Sequence, residues 1–109
     1  MTDVINLTPH DVTIWRDGAP LVTYPPSGEV ARLATIELGT QRYPGVFAPV
    51  ELVEFHHIEN PPPKVDGTWY IVSLPTALAS PRADFLVPYL EVRDDDGRII
   101  GCRMLARPV

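Results

Sequence analysis

His10 and Asp11 are the adjacent pair best suited to acid–base chemistry in this 109-residue chain. A histidine oriented by a carboxylate can act as a general base. Neighbours in sequence seldom face one another, however, and no serine or cysteine stands in a setting typical of a nucleophile. We therefore expect the segment Thr8–Asp11 to form a turn between two short strands, in which Thr8 or Asp11 bonds backbone amides.

His56 and His57 raise a second possibility, a metal site completed by His10. Zinc needs three or four ligands, and adjacent strand residues point to opposite faces, so only one of this pair could face a shared ion. Cys102 is the only cysteine, which excludes an internal disulfide or thiolate cluster. We expect it to be a small residue of the hydrophobic core. We expect no metal, no cofactor and no enzyme, and hydrolysis by His10, Asp11 and one of these histidines is the least favoured hypothesis.

Arginine provides all but one of the nine basic residues, and Lys64 is the exception. The planar guanidinium suits phosphate and carboxylate and stacks on bases. GC-rich coding would produce the same bias, so this composition does not by itself define a site. The net charge of −5 argues against nonspecific nucleic-acid binding, which needs a basic face. A few arginines gathered in one pocket for a small anion are compatible with that charge.

Thirteen prolines divide the chain into segments too short for long helices. Most segments alternate apolar and polar residues, and the Asp-Gly pairs at 17–18 and 96–97 predict hairpin turns. The one helix that we expect covers about residues 75–80. These features predict a single domain over residues 1–109, a compact, mainly antiparallel β-barrel or sandwich with one short helix. Sheet edges often pair between subunits, so we also expect a homo-oligomer.

The composition, with 45% hydrophobic and 21% charged residues, is that of an ordinary globular protein. No apolar run approaches the roughly 20 residues that a membrane helix needs. Asp3 stands where a secretory signal would carry basic residues. We therefore expect a cytoplasmic protein without membrane contact.

Several stretches together resemble a group of short, poorly characterised proteins from bacteriophages, prophages and actinobacterial genomes. The stretches are Asn6-Leu7-Thr8-Pro9-His10, Pro25-Pro26-Ser27-Gly28, Val30-Ala31-Arg32, Tyr70-Ile71-Val72-Ser73, Ala77, Ala79, Arg82, Asp84, Val87-Pro88, Arg93-Asp94 and Gly97-Arg98-Ile99-Ile100-Gly101-Cys102-Arg103. The resemblance spans nearly the whole chain. The segment Glu54–Lys64 departs from the group's pattern, so no site is carried over onto it.

A phage origin implies a small protein that binds one host molecule. Some such proteins sequester nucleotide second messengers of bacterial immunity, which requires cationic donors, stacking groups and no catalysis. We therefore expect a non-enzymatic, phage-type protein that captures a cyclic oligonucleotide or a cyclic ADP-ribose derivative and so counters defence in the host cytoplasm. The expected ligand-binding residues are Arg32, Arg82, Arg93 and Arg103 for phosphate, Tyr70 or Trp69 for a base, and His10 as a further donor.

The alternative is a structural or protein-interaction module of phage or prophage origin that acts through its sheet edges. In that case Arg93 and Asp94 would form ion pairs, and Arg32 would be an exposed strand residue. The two hypotheses differ in the partner, which is a nucleotide in the first and a protein in the second.

Overall fold

The computed structural model describes residues 2–109, and these are mainly β with one short helix, as the sequence predicted. The elements are β1 (Asp3–Asn6), β2 (Val12–Arg16), β3 (Ala19–Tyr24), β4 (Leu33–Gln41), β5 (Val50–Ile58), β6 (Thr68–Ile71), α1 (Leu74–Ala79), β7 (Phe85–Arg93) and β8 (Ile99–Ala106). Six strands form a curled half-barrel in the order β1-β6-β7-β8-β2-β3, and β4 and β5 form a separate two-stranded sheet. Within residues 2–109, no helix has the length and apolar character needed to cross a membrane.

The six-stranded sheet is mixed, whereas the sequence predicted a mainly antiparallel arrangement. β1 pairs in parallel with β6, β6 with β7, and β8 with β2, while the hairpins β2–β3 and β7–β8 are antiparallel. The parallel neighbours β6 and β7 are connected through α1, because parallel strands need a crossover and cannot be joined by a tight turn. Alternation of apolar residues predicts a strand but not its direction, which is why this feature was missed.

Both hairpin turns predicted from Asp-Gly pairs are confirmed. Asp17 and Gly18 both have positive φ, 54° and 79°, as a two-residue type I′ loop requires. In the second turn the Asp94 carboxylate accepts hydrogen bonds from the backbone N–H groups of Asp96 and Arg98. These side-chain bonds hold the ends of β7 and β8 together.

The core consists of two clusters on opposite faces of the half-barrel, as the neighbours Tyr70 and Ile71 on β6 illustrate. Leu7, Ile58, Tyr70, Val72, Ala77, Phe85 and Val87 form the first cluster, and Val12, Ile71 and Cys102 form the second. Cys102 is buried, in agreement with its predicted core role. Trp69, one of the two residues expected to stack on a base, is 38% exposed.

A β-hairpin, residues 33–58, extends from this body and is called the arm below. It comprises β4, β5 and the connecting loop 42–49. At its base Ile58 belongs to the first core cluster, and β5 packs against α1. Seven large apolar residues of the arm are nevertheless exposed: Ile36, Leu38, Tyr43, Val46, Phe47, Val53 and Phe55.

The arm gives the chain an extended outline. The solvent-accessible area is 7929 Å², whereas a monomer of 12.1 kDa is expected to expose roughly 6,000 Å². The Cα radius of gyration is 16.7 Å, compared with about 13 Å for a compact domain of this length. The chain therefore exposes about 1,900 Å² more than a compact monomer of its mass would expose.

Candidate functional site

The Thr8–Asp11 segment is confirmed as a turn, but the side chain that organises it is Asn6. Asn6 is only 2% exposed. Its Oδ1 accepts hydrogen bonds from the Thr8 N–H (2.9 Å) and hydroxyl (2.7 Å). Its Nδ2 donates to the carbonyl oxygens of His10 (2.7 Å) and Tyr24 (2.9 Å). The prediction that Thr8 or Asp11 would bond the amides was therefore wrong, since the Asn6 oxygen has that role. The Asn6 Nδ2, by donating to the Tyr24 carbonyl, ties β1 to the end of β3.

The His10 side chain lies on the exposed rim of a cleft of about 620 Å³, which Asp11, Ser73, Glu91 and Cys102 also line. Of the predicted ligand-binding residues, His10 alone lines this cleft. His56 and His57 lie on β5, in the arm, and the Nε2 atom of His56 is 3.5 Å from a carboxylate oxygen of Glu54. Within the part of the chain that the structure describes, no three His, Cys, Asp or Glu side chains form a group that could hold a metal ion.

A second cleft, of about 670 Å³, brings together Arg32 and Tyr70. The Arg32 side chain is exposed and makes no hydrogen bond within residues 2–109. Tyr70 is only 4% exposed, because its ring packs edge-on against Phe85 and its hydroxyl donates to the Pro63 carbonyl (2.8 Å). The structure thus gives Tyr70 a core position that leaves no open ring face for stacking.

Two carboxylates, those of Glu29 and Glu59, line the same cleft as Arg32. A phosphate bound there would meet one guanidinium and two like charges. Like charges close to a bound anion weaken its binding, unless counterions or protonation offset them. The electrostatics of the cleft therefore favour a ligand of low net negative charge.

Arg82 has a structural position, with its side chain 13% exposed. Its Nε and Nη2 donate to the two carboxylate oxygens of Asp84 (2.9 and 2.7 Å), and its Nη1 donates to the Pro62 carbonyl (2.7 Å). The guanidinium carbon lies 4.5 Å from the centroid of the Phe85 ring. All three guanidinium nitrogens therefore donate to acceptors within the chain. Arg82 thus has no free, exposed nitrogen for the predicted contact with phosphate.

The other three predicted residues lie in separate places. Arg93 donates to Glu91 (2.8 Å) and to the Gly97 carbonyl (2.8 Å), so it forms an ion pair, as the interaction-module alternative expects, and its partner is Glu91. Arg103 is exposed in a cleft of about 400 Å³. Trp69 lines a shallow depression of about 240 Å³. The predicted ligand-binding residues thus do not converge, and only Arg32 and Tyr70 share a cleft.

No protein-family model matches this chain, and neither does any curated protein or solved structure. The class of protein that the geometry defines is a curled, mixed β-sheet body carrying an apolar two-stranded arm.

The arm displays apolar residues on both of its faces. In an antiparallel pair, directly opposed residues lie on the same face and successive residues lie on opposite faces. Phe55 opposes Thr35, which places its ring on one face, and Ile36 opposes Glu54, which places it on the other. Phe47, in the loop at the tip, is 99% exposed. Sequence reasoning missed this surface because an alternating pattern predicts a half-buried strand without showing what covers its apolar side.

Proposed function

We propose that this protein is a non-catalytic protein-interaction module and that the arm is its binding element. The observation that carries the proposal is the exposure of large apolar side chains on both arm faces and at its tip. Soluble monomers rarely expose contiguous apolar patches of more than a few hundred Å², and larger ones mark sites of association. A protein partner removes such side chains from water, whereas a small polar nucleotide would not.

The energetics of a two-stranded hairpin support the same function. An isolated hairpin is at best marginally stable in water, since it lacks a third strand or a helix on its face. Only the base of the arm is anchored, through Ile58 in the core and the contact of β5 with α1. A partner lying against the exposed faces would supply the missing apolar contacts. This arrangement fits the structural or interaction module that the resemblance to phage proteins allowed.

Photo-crosslinking tests this proposal. A benzophenone amino acid introduced at Phe47 is expected to give protein adducts in the cell that naturally makes the chain. The matched control carries the same group at Leu21, which is 61% exposed but lies on β3, away from the arm. Adducts formed at position 47 and not at position 21 support the proposal. No protein adduct at position 47 in correctly folded protein overturns it.

Nucleotide capture is the second candidate function, and Arg32 is the observation that favours it. Its guanidinium has no hydrogen-bond partner within residues 2–109 and lines a cleft of about 670 Å³, a size suited to a small molecule. A charge-assisted hydrogen bond to a phosphate contributes about 1.5–3 kcal/mol. Cyclic oligonucleotides and cyclic ADP-ribose isomers are the ligands to screen, with ordinary nucleotides as controls.

Nucleotide capture at this cleft can be tested by two charge changes with opposite expected effects, since the lining contains both an arginine and carboxylates. For any nucleotide that raises the melting temperature, Arg32→Ala is expected to weaken binding by at least about tenfold. Glu29→Gln is expected to strengthen it, because the substitution removes a negative charge from the lining. Titration calorimetry measures both changes. A flat screen with folded protein, or affinities unchanged in both variants, excludes nucleotide capture at this cleft.

A further inference from the structure

We infer that the partner of the arm is a second copy of this chain, and that the arm of one copy packs on the β2–β8 face of another. The receiving surface is the cleft of about 400 Å³ lined by Trp15, Arg16, Asp17, Gly18, Val92, Arg103 and Met104. This inference rests on the proposed function and names its partner. Two features of the same molecule support it. The arm is exposed, apolar and acidic, and the cleft is exposed and bears arginines.

The surface area has the size that such an assembly needs. The chain exposes roughly 1,900 Å² more than a compact monomer of its mass. A standard interface buries about 800 Å² on each partner. A copy that gives one arm and receives one arm buries two such patches, about 1,600 Å² in total. The excess area is therefore comparable with the area that two such patches would bury.

The charges of the two surfaces are complementary. Three carboxylates, those of Glu37, Glu51 and Glu54, and one arginine, Arg42, lie within residues 33–58. Arm-to-arm packing would bring these carboxylates of two copies close together, which is unfavourable. The receiving cleft instead carries two arginines and one aspartate. Docking of the arm on the body of a second copy therefore brings opposite charges together.

The receiving face combines those charges with apolar surface and has no cover from its own chain. Neither Arg16 nor Arg103 makes a side-chain hydrogen bond within the described part of the chain. Met104 is exposed and lies opposite the exposed Tyr89 in the β7–β8 pair. No residue of the arm lines this cleft, and the base of the arm contacts α1 through β5. The cleft can therefore receive a side chain such as Phe47 only from another molecule.

Sedimentation and light scattering of the full chain test the inference. The wild-type protein is expected to have a mass that is a multiple of 12.1 kDa at micromolar concentration. Phe47→Asp on the arm and Arg103→Glu on the cleft are each expected to weaken self-association at least about tenfold. Leu21→Asp and Arg98→Glu are the controls, because both residues are exposed and lie outside the two surfaces. Both controls are expected to assemble like the wild type.

Mixing the two defective variants distinguishes this arrangement from arm-to-arm packing. A Phe47→Asp copy retains an intact cleft, and an Arg103→Glu copy retains an intact arm. The mixture is therefore expected to form a heterodimer at concentrations at which each variant alone stays mostly monomeric. If Phe47→Asp prevents assembly and Arg103→Glu does not, the cleft assignment is overturned.

A wild-type protein that stays monomeric overturns the inference of a second copy. Crosslinks from position 47 to a different protein would then still support the interaction function. Absence of both self-association and crosslinks would overturn the interaction function as well. The two failures are therefore distinguishable.

Discussion

Substitution of Asn6 by alanine is expected to lower the free energy of unfolding by about 2–4 kcal/mol. The change removes four hydrogen bonds from a side chain that is 2% exposed and leaves the His10 and Tyr24 carbonyls without their Nδ2 donor. Unsatisfied buried polar groups are costly because water cannot replace the lost partner. Urea denaturation followed by circular dichroism measures the loss.

Two further variants separate the Asn6 network from simple loss of volume. Thr8→Ala removes only the hydroxyl bonds to Asn6 and His10 and is expected to cost about 0.5–1.5 kcal/mol. Asn6→Asp keeps the shape, but places a carboxylate against two carbonyl oxygens. Its destabilisation is expected to be smaller at about pH 4 than near pH 7, because the protonated carboxyl is neutral and donates one hydrogen bond. Equal stability of Asn6→Ala and Thr8→Ala would contradict a central role for Asn6.

Replacement of Arg82 by alanine is expected to destabilise the fold by about 2–4 kcal/mol, below the roughly 3–5 kcal/mol for breaking a fully buried ion pair from one side, because this pair is part-buried. The side chains of Arg82 and Asp84 are 13% and 17% exposed, so the Asp84 carboxylate would be left unpaired and mostly shielded from water. The variant also loses the bond to the Pro62 carbonyl and the guanidinium contact with the Phe85 ring. Urea titration of the variant and the wild type gives the difference.

The double variant Arg82→Leu/Asp84→Leu is the matched control for Arg82→Ala. Removing both charges leaves no unpaired ion, so this protein is expected to regain most of the stability that Arg82→Ala loses. A phosphate-binding arginine would behave differently: Arg82→Ala would fold with wild-type stability and lose only nucleotide affinity. That outcome would restore Arg82 as a ligand residue and contradict the structural role that its hydrogen bonds give it.

Local chemistry explains which parts of the fold could be predicted from the sequence. Two Asp-Gly pairs placed the hairpin turns, because their backbone requirement is local. The helix expected at about residues 75–80 corresponds to α1, whose Ser73 cap accepts the Thr76 N–H. Strand direction and the parallel β1–β6 pair depend on contacts far apart in sequence. Alternation carries no information about them.

The candidate site was less predictable, for a reason that Arg82 illustrates. An arginine that binds phosphate and one that binds an aspartate need the same donors, and only tertiary structure shows which acceptor is present. The spacing Arg82-x-Asp84 was nevertheless a signal of the second case, because the two side chains pair within one turn. Asn6 carried a similar signal, since an asparagine two residues before a backbone N–H commonly closes an Asx turn. The arm gave no signal of this kind.

The parallel pairing of β1 with β6 also determines the order in which the chain can fold. Residues 3–6 find their strand partner only at residues 68–71, so β1 cannot pair until the intervening residues and β6 have been synthesised. The hairpins β2–β3, β4–β5 and β7–β8 close over short loops and can form locally within microseconds. The long loop between β1 and β6 carries a larger entropic cost and slows the final step. β1 is therefore expected to be among the last strands to join the sheet.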